Sequence, residues 1–289
     1  MNKQKAKVIS SYYQKGGVGK TTLAVNLAAC LSTLRPTKRS SRRNRVLFID
    51  ADSQASATKY FNCYDINADS IYDVLKGKKK LKEIMKHLNY NYGESGECVI
   101  DFIPSTELMH DIDTEYFLMD FPDARLGIAL EEVIYDYDYI IIDCPPEKDS
   151  LFKNIFNVTD YYVLSTEAIT ITFERLAHTY RMLNDLTTKK DKRKGEVLGI
   201  CVNRYVPNYT VDQVRKLKQK HVVKAYEENL YVFKQKIPNS QAICSSFTNR
   251  MPIPFYHRNL HNCKEVNTAY FRLTREIIKR IKYFEDKEI

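Results

Sequence analysis

The stretch that decides the fold is Lys15-Gly16-Gly17-Val18-Gly19-Lys20-Thr21-Thr22. It follows a predicted strand, Lys7–Tyr12, and precedes a helical pattern of leucines. Glycines let the backbone curl so that consecutive N–H groups face one phosphate, and the helix N-terminus adds its partial positive charge. Lys20 is then placed to reach the β and γ phosphates, and the Thr21 hydroxyl to ligate Mg²⁺. The order of strand, glycine loop and helix therefore predicts a nucleotide-phosphate site.

Short β-branched or aromatic runs alternate along the chain with longer helical patterns. This alternation predicts an α/β fold with a doubly wound, mainly parallel sheet of about seven strands and helices on both faces. We find no linker and predict a single domain over residues 1–289, with a turn at 89–97. The predicted strands are 7–12, 45–50, 98–103, 139–143, 160–165, 197–203 and 231–237.

The net charge of +9 is distributed unevenly. Residues 1–100 carry a net charge of +10, residues 101–149 of −12 and residues 181–289 of +12. Basic regions of this size attract polyanions, either nucleic acid or an anionic membrane surface, although a merely solvated basic surface is the alternative. One segment, 33–45, holds six arginines and lysines and no acid. We predict that it is a solvated loop insertion, with phosphate contact as the alternative.

Cysteine usage and hydropathy exclude several protein classes. The seven cysteines are an odd number and form no C-x-x-C pair, which argues against a disulfide framework and a zinc site and favours a reduced, cytoplasmic setting. The first 14 residues are polar and basic and lack the apolar h-region of a signal peptide, and no run approaches the roughly 18 apolar residues of a membrane span. Secretion and membrane spanning are therefore not expected.

The glycine stretch departs from the standard G-x-x-x-x-G-K-T pattern because position 14 is Gln and an extra lysine, Lys15, follows it. In this respect it resembles the deviant Walker A motif of the ParA/MinD family of P-loop ATPases. The resemblance implies that residues 15–22 bind ATP. It also implies that Lys15 reaches the partner's nucleotide in an ATP-dependent homodimer, where its charge acts on the transferring phosphoryl group as an arginine finger does.

Two further motifs carry the resemblance. Residues 46–54 end in Asp50 and Asp52, which point the same way at the carboxyl end of a strand, where ligands bind in open α/β sheets. Residues 139–146 look like the family's Walker B strand with Asp143. The resemblance implies that Asp52 positions the attacking water and that Asp50 and Asp143 support Mg²⁺. It places adenine at Asn203, Arg204 and Pro238, and it assigns an architectural role to 101–105.

Three positions depart from the family pattern: Ser53 replaces a usual Pro, Tyr13 a usual Asn, and Glu174 a common Gly. The hydrolysis rate and its activation by a partner are therefore the properties that transfer least safely. Binding of ATP and Mg²⁺ is compatible with all three.

The resemblance implies partners as well as cofactors. It points to a partition ATPase that binds DNA non-specifically and hydrolyses ATP when a ParB-like centromere-binding adaptor stimulates it, in a cytoplasmic, nucleoid-associated setting. The phosphate loop begins near residue 15, which leaves no room for an N-terminal helix-turn-helix domain. The DNA-binding candidates are Lys189, Lys190, Arg193, Arg215, Lys218, Arg272, Arg275 and Lys279.

Two alternatives remain. A MinD-like membrane-associated ATPase would use the apolar stripe of the last helix, which runs from Val266 to Phe284 opposite basic residues. We expect this stripe to pack on the sheet instead, because the chain ends in acidic residues that an anionic membrane would repel. A nucleotide-dependent scaffold that binds ATP and hardly turns over is the other alternative.

Overall fold

A computed structural model describes residues 4–37, 39–93, 96–116, 119–146, 150–167, 176, 178–186, 195–206, 231–256 and 261–287. Its centre is a seven-stranded sheet in the order β3-β4-β2-β5-β1-β6-β7. All neighbours pair in parallel except β3, which is antiparallel to β4. The strands are β1 (Lys7–Tyr12), β2 (Val46–Asp50), β3 (Lys86–Asn91), β4 (Glu97–Ile103), β5 (Tyr139–Asp143), β6 (Tyr161–Glu167) and β7 (Glu196–Asn203).

Helices cover both faces of the sheet, which confirms the predicted doubly wound α/β fold. One apolar cluster joins the sheet to α1 and α9, and another joins it to α3, α6 and α7. The helices include α1 (Lys20–Thr33), α2 (Ser56–Tyr60), α3 (Ile71–Leu75), α4 (Leu81–Ile84), α5 (Ile112–Tyr116), α6 (Arg125–Glu131), α7 (Ser150–Val158), α8 (Gln241–Thr248) and α9 (His261–Asp286), and residues 178–186 are also helical.

The apolar stripe of the last helix lies in the core. Val266, Tyr270, Leu273, Ile277 and Ile281 are buried against α1 and the sheet. The expectation that this stripe packs inside the protein is therefore confirmed. Among the described residues, no helix is both long and apolar enough to cross a membrane.

The predicted strand at 231–237 is wrong. The segment runs beside β7 but forms only isolated bridges, from Val232 to Ile200 and from Pro238 to Tyr205. The physical reason is Glu276 of α9, whose carboxylate accepts hydrogen bonds from the backbone N–H groups of residues 234 and 235, at 2.8 and 3.2 Å. Those amides are consequently not available to a ladder with β7.

The predicted turn at 89–97 is too long at both ends, because residues 86–91 form β3 and β4 begins at Glu97. This edge strand exposes Lys86, His87 and Asn89, so it lacks the apolar run by which the buried strands were found. Between the two strands, a hydrogen bond runs from Tyr92 N to Gly96 O at 3.0 Å. The β3–β4 hairpin thus extends the sheet beyond β4.

Candidate functional site

The glycine stretch forms a loop between β1 and α1. Gly17 and Gly19 have φ values of 77° and 89°, in the left-handed region that favours glycine. A Cβ atom on Gly19 would lie 2.8 Å from Nδ2 of Asn203, so a larger residue is excluded there by space as well as by backbone conformation. Asn203, at the end of β7, donates from Nδ2 to the carbonyl oxygen of Val18 at 2.9 Å. β7 thereby braces the loop.

The Lys20 side chain is buried inside this loop. Its Nζ donates to the carbonyl oxygen of Lys15 at 3.2 Å, and only 6% of the residue is exposed. The Ser11 hydroxyl of β1 donates to the carbonyl oxygen of Lys20 at 3.1 Å and ties the start of α1 to the sheet. A buried ammonium with one neutral partner at a helix N-terminus is suited to an anion.

Asp50 ends β2 and is fully buried. Its Oδ2 accepts hydrogen bonds from the Thr58 backbone N at 2.8 Å and the Thr58 hydroxyl at 2.7 Å, and its Oδ1 accepts one from the Asp52 backbone N at 3.2 Å. Burial raises the pKa of Asp50 to about 7, although these hydrogen bonds oppose the rise. Sequence reasoning missed Thr58, which lies in the short helix α2 and carries no motif of its own.

Asp52 lies in the loop that follows β2. Its Oδ1 accepts a hydrogen bond from the Gln54 backbone N at 2.9 Å, and its carbonyl oxygen accepts one from the Ser105 hydroxyl at 2.8 Å. The Ser105 backbone N also donates to the Thr58 hydroxyl oxygen at 2.9 Å. The segment after β4 therefore holds the Asp50–Asp52 loop in place.

Asp143 ends β5 directly beside Asp50 in the sheet register. It is fully buried, and among the described residues neither carboxylate oxygen has a hydrogen-bond partner. Burial, followed by the charge of Asp50, raises the pKa of Asp143 well above its usual range, while the nearby Thr21 hydroxyl and Lys20 ammonium oppose the rise. Two buried carboxylates side by side are unfavourable without a cation.

These residues fit a Mg²⁺ ion. Carboxylate and hydroxyl oxygens are ligands that Mg²⁺ accepts, and it usually takes few protein ligands and completes its shell with phosphate and water. In the described part of the chain, no group of three or more His, Cys, Asp and Glu side chains could hold a metal by itself. Asp143, Asp50 and Thr21 are therefore suited to a metal that arrives with phosphate.

Comparison with known proteins identifies the family. A family model described as an AAA domain matches residues 6–194. The chromosome partitioning protein ParA of Myxococcus xanthus is 28% identical over 281 residues, which cover 95% of this chain and 88% of that protein. The sporulation initiation inhibitor protein Soj of Bacillus subtilis is 32% identical over 225 residues, or 73% of this chain and 82% of Soj.

The chain belongs to the ParA/Soj-like P-loop ATPases. Solved structures share its fold. A plasmid partition protein from Borrelia burgdorferi B31 bound to AMPPNP superposes with a TM-score of 0.69 at 24% identity, over 99% of this chain and 100% of that one. Cobyrinic acid a,c-diamide synthase from Mycobacterium smegmatis with an ATP analog and magnesium gives 0.73 at 20% identity, over 96% of each chain.

In this ParA/Soj-like ATPase, the other lysine of the phosphate loop, Lys15, differs from Lys20 in its burial and its contacts. Lys15 is half-buried beside the exposed Gly16 and Gly17. Within the described ranges, its ammonium group forms no hydrogen bond or ion pair. A cation is thus left free at the mouth of the phosphate loop.

The three residues predicted to contact adenine are only partly brought together. Asn203 contacts the phosphate loop, whereas Arg204 pairs with Glu167 at 2.6 Å. Pro238 bridges to Tyr205 and lines a hollow of about 700 Å³ beside α9. Adenine contact by these residues stays a prediction.

The basic candidates on α9 lie on its exposed side. Arg272, Arg275 and Lys279 are exposed and, with the exposed Lys234, line a groove of about 480 Å³. Glu276 lies in the same groove, and its carboxylate accepts hydrogen bonds from Tyr231 and the backbone of 234–235. The other five candidates, Lys189, Lys190, Arg193, Arg215 and Lys218, lie outside the described residues.

Proposed function

We propose that this ParA/Soj-like ATPase is a DNA partition ATPase. It binds ATP with Mg²⁺, dimerises in the ATP state, coats DNA non-specifically and hydrolyses ATP when a ParB-like centromere-binding adaptor stimulates it. The observation that carries the proposal is the pair of lysines in one phosphate loop, with Lys20 inside and Lys15 free at the mouth. The names of its relatives, ParA and a plasmid partition protein, support the same function.

The loop residues supply the nucleotide site in this proposal. The backbone of 16–19 and the residues Lys20, Thr21 and Thr22 hold the phosphates, and Asp143 and Asp50 complete the magnesium shell. When bound, Mg²⁺ neutralises charge on the phosphate oxygens. Asp52 orients the attacking water from the end of β2, and the Gln54 amide fixes one of its oxygens.

Dimerisation follows from Lys15. Its ammonium completes the site of the second subunit, where it stabilises charge that develops on the transferring phosphoryl group. Because Lys15 has no intramolecular partner in the described residues, no existing ion pair has to break when the dimer forms.

DNA binding rests on the exposed basic side of α9. Arg272, Arg275 and Lys279 neutralise phosphates without reading sequence, and they release counterions as they do so. The MinD-like alternative needs the apolar side of the same helix. That side is buried in the core, so we do not propose membrane attachment.

The test is co-sedimentation of the full chain with duplex DNA of unrelated sequence, with and without ATP, between about 50 and 200 mM salt. Binding should require ATP and weaken steeply as salt rises, with a slope of roughly 0.9 per phosphate contact. Asp52→Ala should stay on DNA with ATP because hydrolysis no longer releases it. DNA binding that does not depend on ATP or on salt concentration would overturn the proposed DNA function. Binding to anionic liposomes is measured for comparison.

A further inference from the structure

Hydrogen bonds join the two ends of the basic segment that follows α1. We call residues 34–45 the basic loop. The Asn44 backbone N donates to the Leu34 carbonyl oxygen at 2.8 Å, and Asn44 Nδ2 donates to the Leu31 carbonyl oxygen of α1 at 3.0 Å. The two ends of the loop are therefore joined at the end of α1, as in a compact Ω-type loop.

Two arginines anchor the basic loop to the body of the protein. Arg42 donates two hydrogen bonds to Asp138, at 2.6 and 2.9 Å, and the Arg45 backbone N donates to the same carboxylate at 2.8 Å. The Arg43 guanidinium donates to the Thr33 carbonyl oxygen and lies 5.5 Å from the centre of the Tyr92 ring. The charge of Arg42 is therefore paired with the carboxylate of Asp138 within the protein.

Three other arginines of the loop point outward. Arg35, Arg39 and Arg45 are exposed. Arg35 donates to the Ser40 carbonyl oxygen within the loop, at 3.0 Å. Arg39 and Arg45 form no ion pair with any residue that the structure describes. The fold therefore uses two arginines to anchor the loop and leaves the three others exposed on its surface.

The acids around the loop are largely engaged elsewhere. Glu97 and Asp101 line the hollow beside Arg45. Asp101 is bonded to His87 at 2.5 Å and to the Tyr137 hydroxyl at 2.6 Å, and Asp138 holds Arg42. Of these three carboxylates, Glu97 alone has no ion pair or side-chain hydrogen bond with a described residue, so the three outward guanidinium groups outnumber the carboxylates left to pair with them.

We infer that the basic loop is a second DNA-contact surface, which binds backbone phosphates through Arg35, Arg39 and Arg45. Guanidinium groups bind phosphate oxygens in pairs and suit this role. Apart from Leu34, which caps α1 and is partly buried, the basic loop contains no aromatic or branched aliphatic side chain to insert into a lipid surface. The loop precedes β2, whereas Asp50 and Asp143 end their strands, so it lies at the sheet edge opposite the phosphate site. The inference rests on the proposed function only in taking DNA as the polyanion.

The test compares two triple variants of the full chain with ATP on a short duplex, by fluorescence anisotropy. The loop variant carries Arg35→Gln, Arg39→Gln and Arg45→Gln, and the control carries Lys78→Gln, Lys79→Gln and Lys80→Gln. Both lower the net charge by the same amount. The loop variant should bind DNA roughly tenfold more weakly near 0.15 M salt and lose about 1 unit of salt slope per lost contact, whereas the control should change affinity less than about twofold.

The outcomes distinguish DNA contact by the basic loop from the proposed partition function. Equal weakening in both variants would show that only net charge matters and would overturn the loop contact. Unchanged DNA binding by the loop variant would also overturn the loop contact, but it would not contradict the proposed partition function. If the wild-type chain binds no DNA, both the loop contact and the proposed partition function are wrong. A loop variant that loses binding to anionic vesicles but keeps DNA binding would assign the loop to lipid instead, and unchanged thermal unfolding checks that the anchors still hold.

Discussion

At the scale of single residues, position decides what identical side chains can do. Lys15 and Lys20 lie in the same loop, yet Lys20 is buried and bonded to the loop backbone while Lys15 is free at its mouth. Asp50 and Asp143 are neighbours in the sheet, yet Asp50 has three hydrogen bonds and Asp143 has none within the described ranges. Among the described residues, the Lys15 ammonium and the Asp143 carboxylate therefore have no hydrogen bond to lose when an external partner binds.

Lys15→Ala should abolish ATP-dependent dimerisation and spare nucleotide binding. The reason is that the Lys15 side chain has no partner among the described residues, whereas the Lys20 side chain is buried within the phosphate loop. Analytical ultracentrifugation with and without ATP measures the dimer, and binding of a fluorescent ATP analogue measures the site.

Lys20→Ala is the matched control, and it should lose nucleotide binding itself. A monomer–dimer equilibrium that Lys15→Ala leaves unchanged would refute the role of this lysine in the partner's site.

At the scale of elements, buried polar side chains fix how the helices meet. Asn26 of α1 is 1% exposed. Its Nδ2 donates to the Thr22 carbonyl oxygen at 2.8 Å, and its Oδ1 accepts from the Ile253 backbone N at 2.8 Å. The helix that begins at the phosphate loop is thereby joined to the segment that leads from α8 to the basic helix α9.

Asn26→Leu should destabilise the protein by about 1–3 kcal/mol, because it leaves the buried Ile253 N–H without an acceptor. Urea unfolding followed by circular dichroism measures the loss. The exposed Asn89→Leu on β3 is the control and should change stability by no more than about 0.5 kcal/mol. Equal stability of Asn26→Leu and the wild type would mean that the Asn26–Ile253 bond contributes nothing.

At the scale of the whole molecule, charge is segregated. The block 101–149 carries a net charge of −12 between two basic regions. Arg42 and Asp138 join the basic loop to this block. Although burial opposes it, the hydrogen bonds from Arg42 and the Arg45 backbone hold the pKa of Asp138 below its usual value.

The lowered pKa of Asp138 predicts how stability depends on pH. The ion pair stabilises the fold fully above the ordinary aspartate pKa of 3.8, and its contribution is lost as pH falls through the lower folded-state value. Asp138→Asn should therefore cost about 1 kcal/mol at neutral pH, and this difference should shrink below about pH 4. Urea midpoints at both pH values measure it, with the exposed Asp286→Asn as control. A difference that stays constant into acid would contradict the ion pair's role.

The sequence by itself determined the phosphate loop, the bounds of β1 and β5, and the parallel α/β plan. Each of these depends on local signals: glycine spacing, apolar runs and their alternation with helical patterns. β2 and β5 are recognisable because both faces of the sheet are covered, so that every residue before the terminal Asp50 or Asp143 is aliphatic or aromatic.

Only the tertiary structure decided the rest. The segment 231–237 has the composition of a strand, but the carboxylate of Glu276, some forty residues later, accepts hydrogen bonds from two of its backbone N–H groups. Gly19 is closed in by Asn203, and Arg42 finds Asp138, across long stretches of chain. These contacts join residues that are distant in sequence, so no local pattern contains them. The same holds for the basic loop, where the fold alone distinguishes the arginines that anchor it, Arg42 and Arg43, from the exposed Arg35, Arg39 and Arg45.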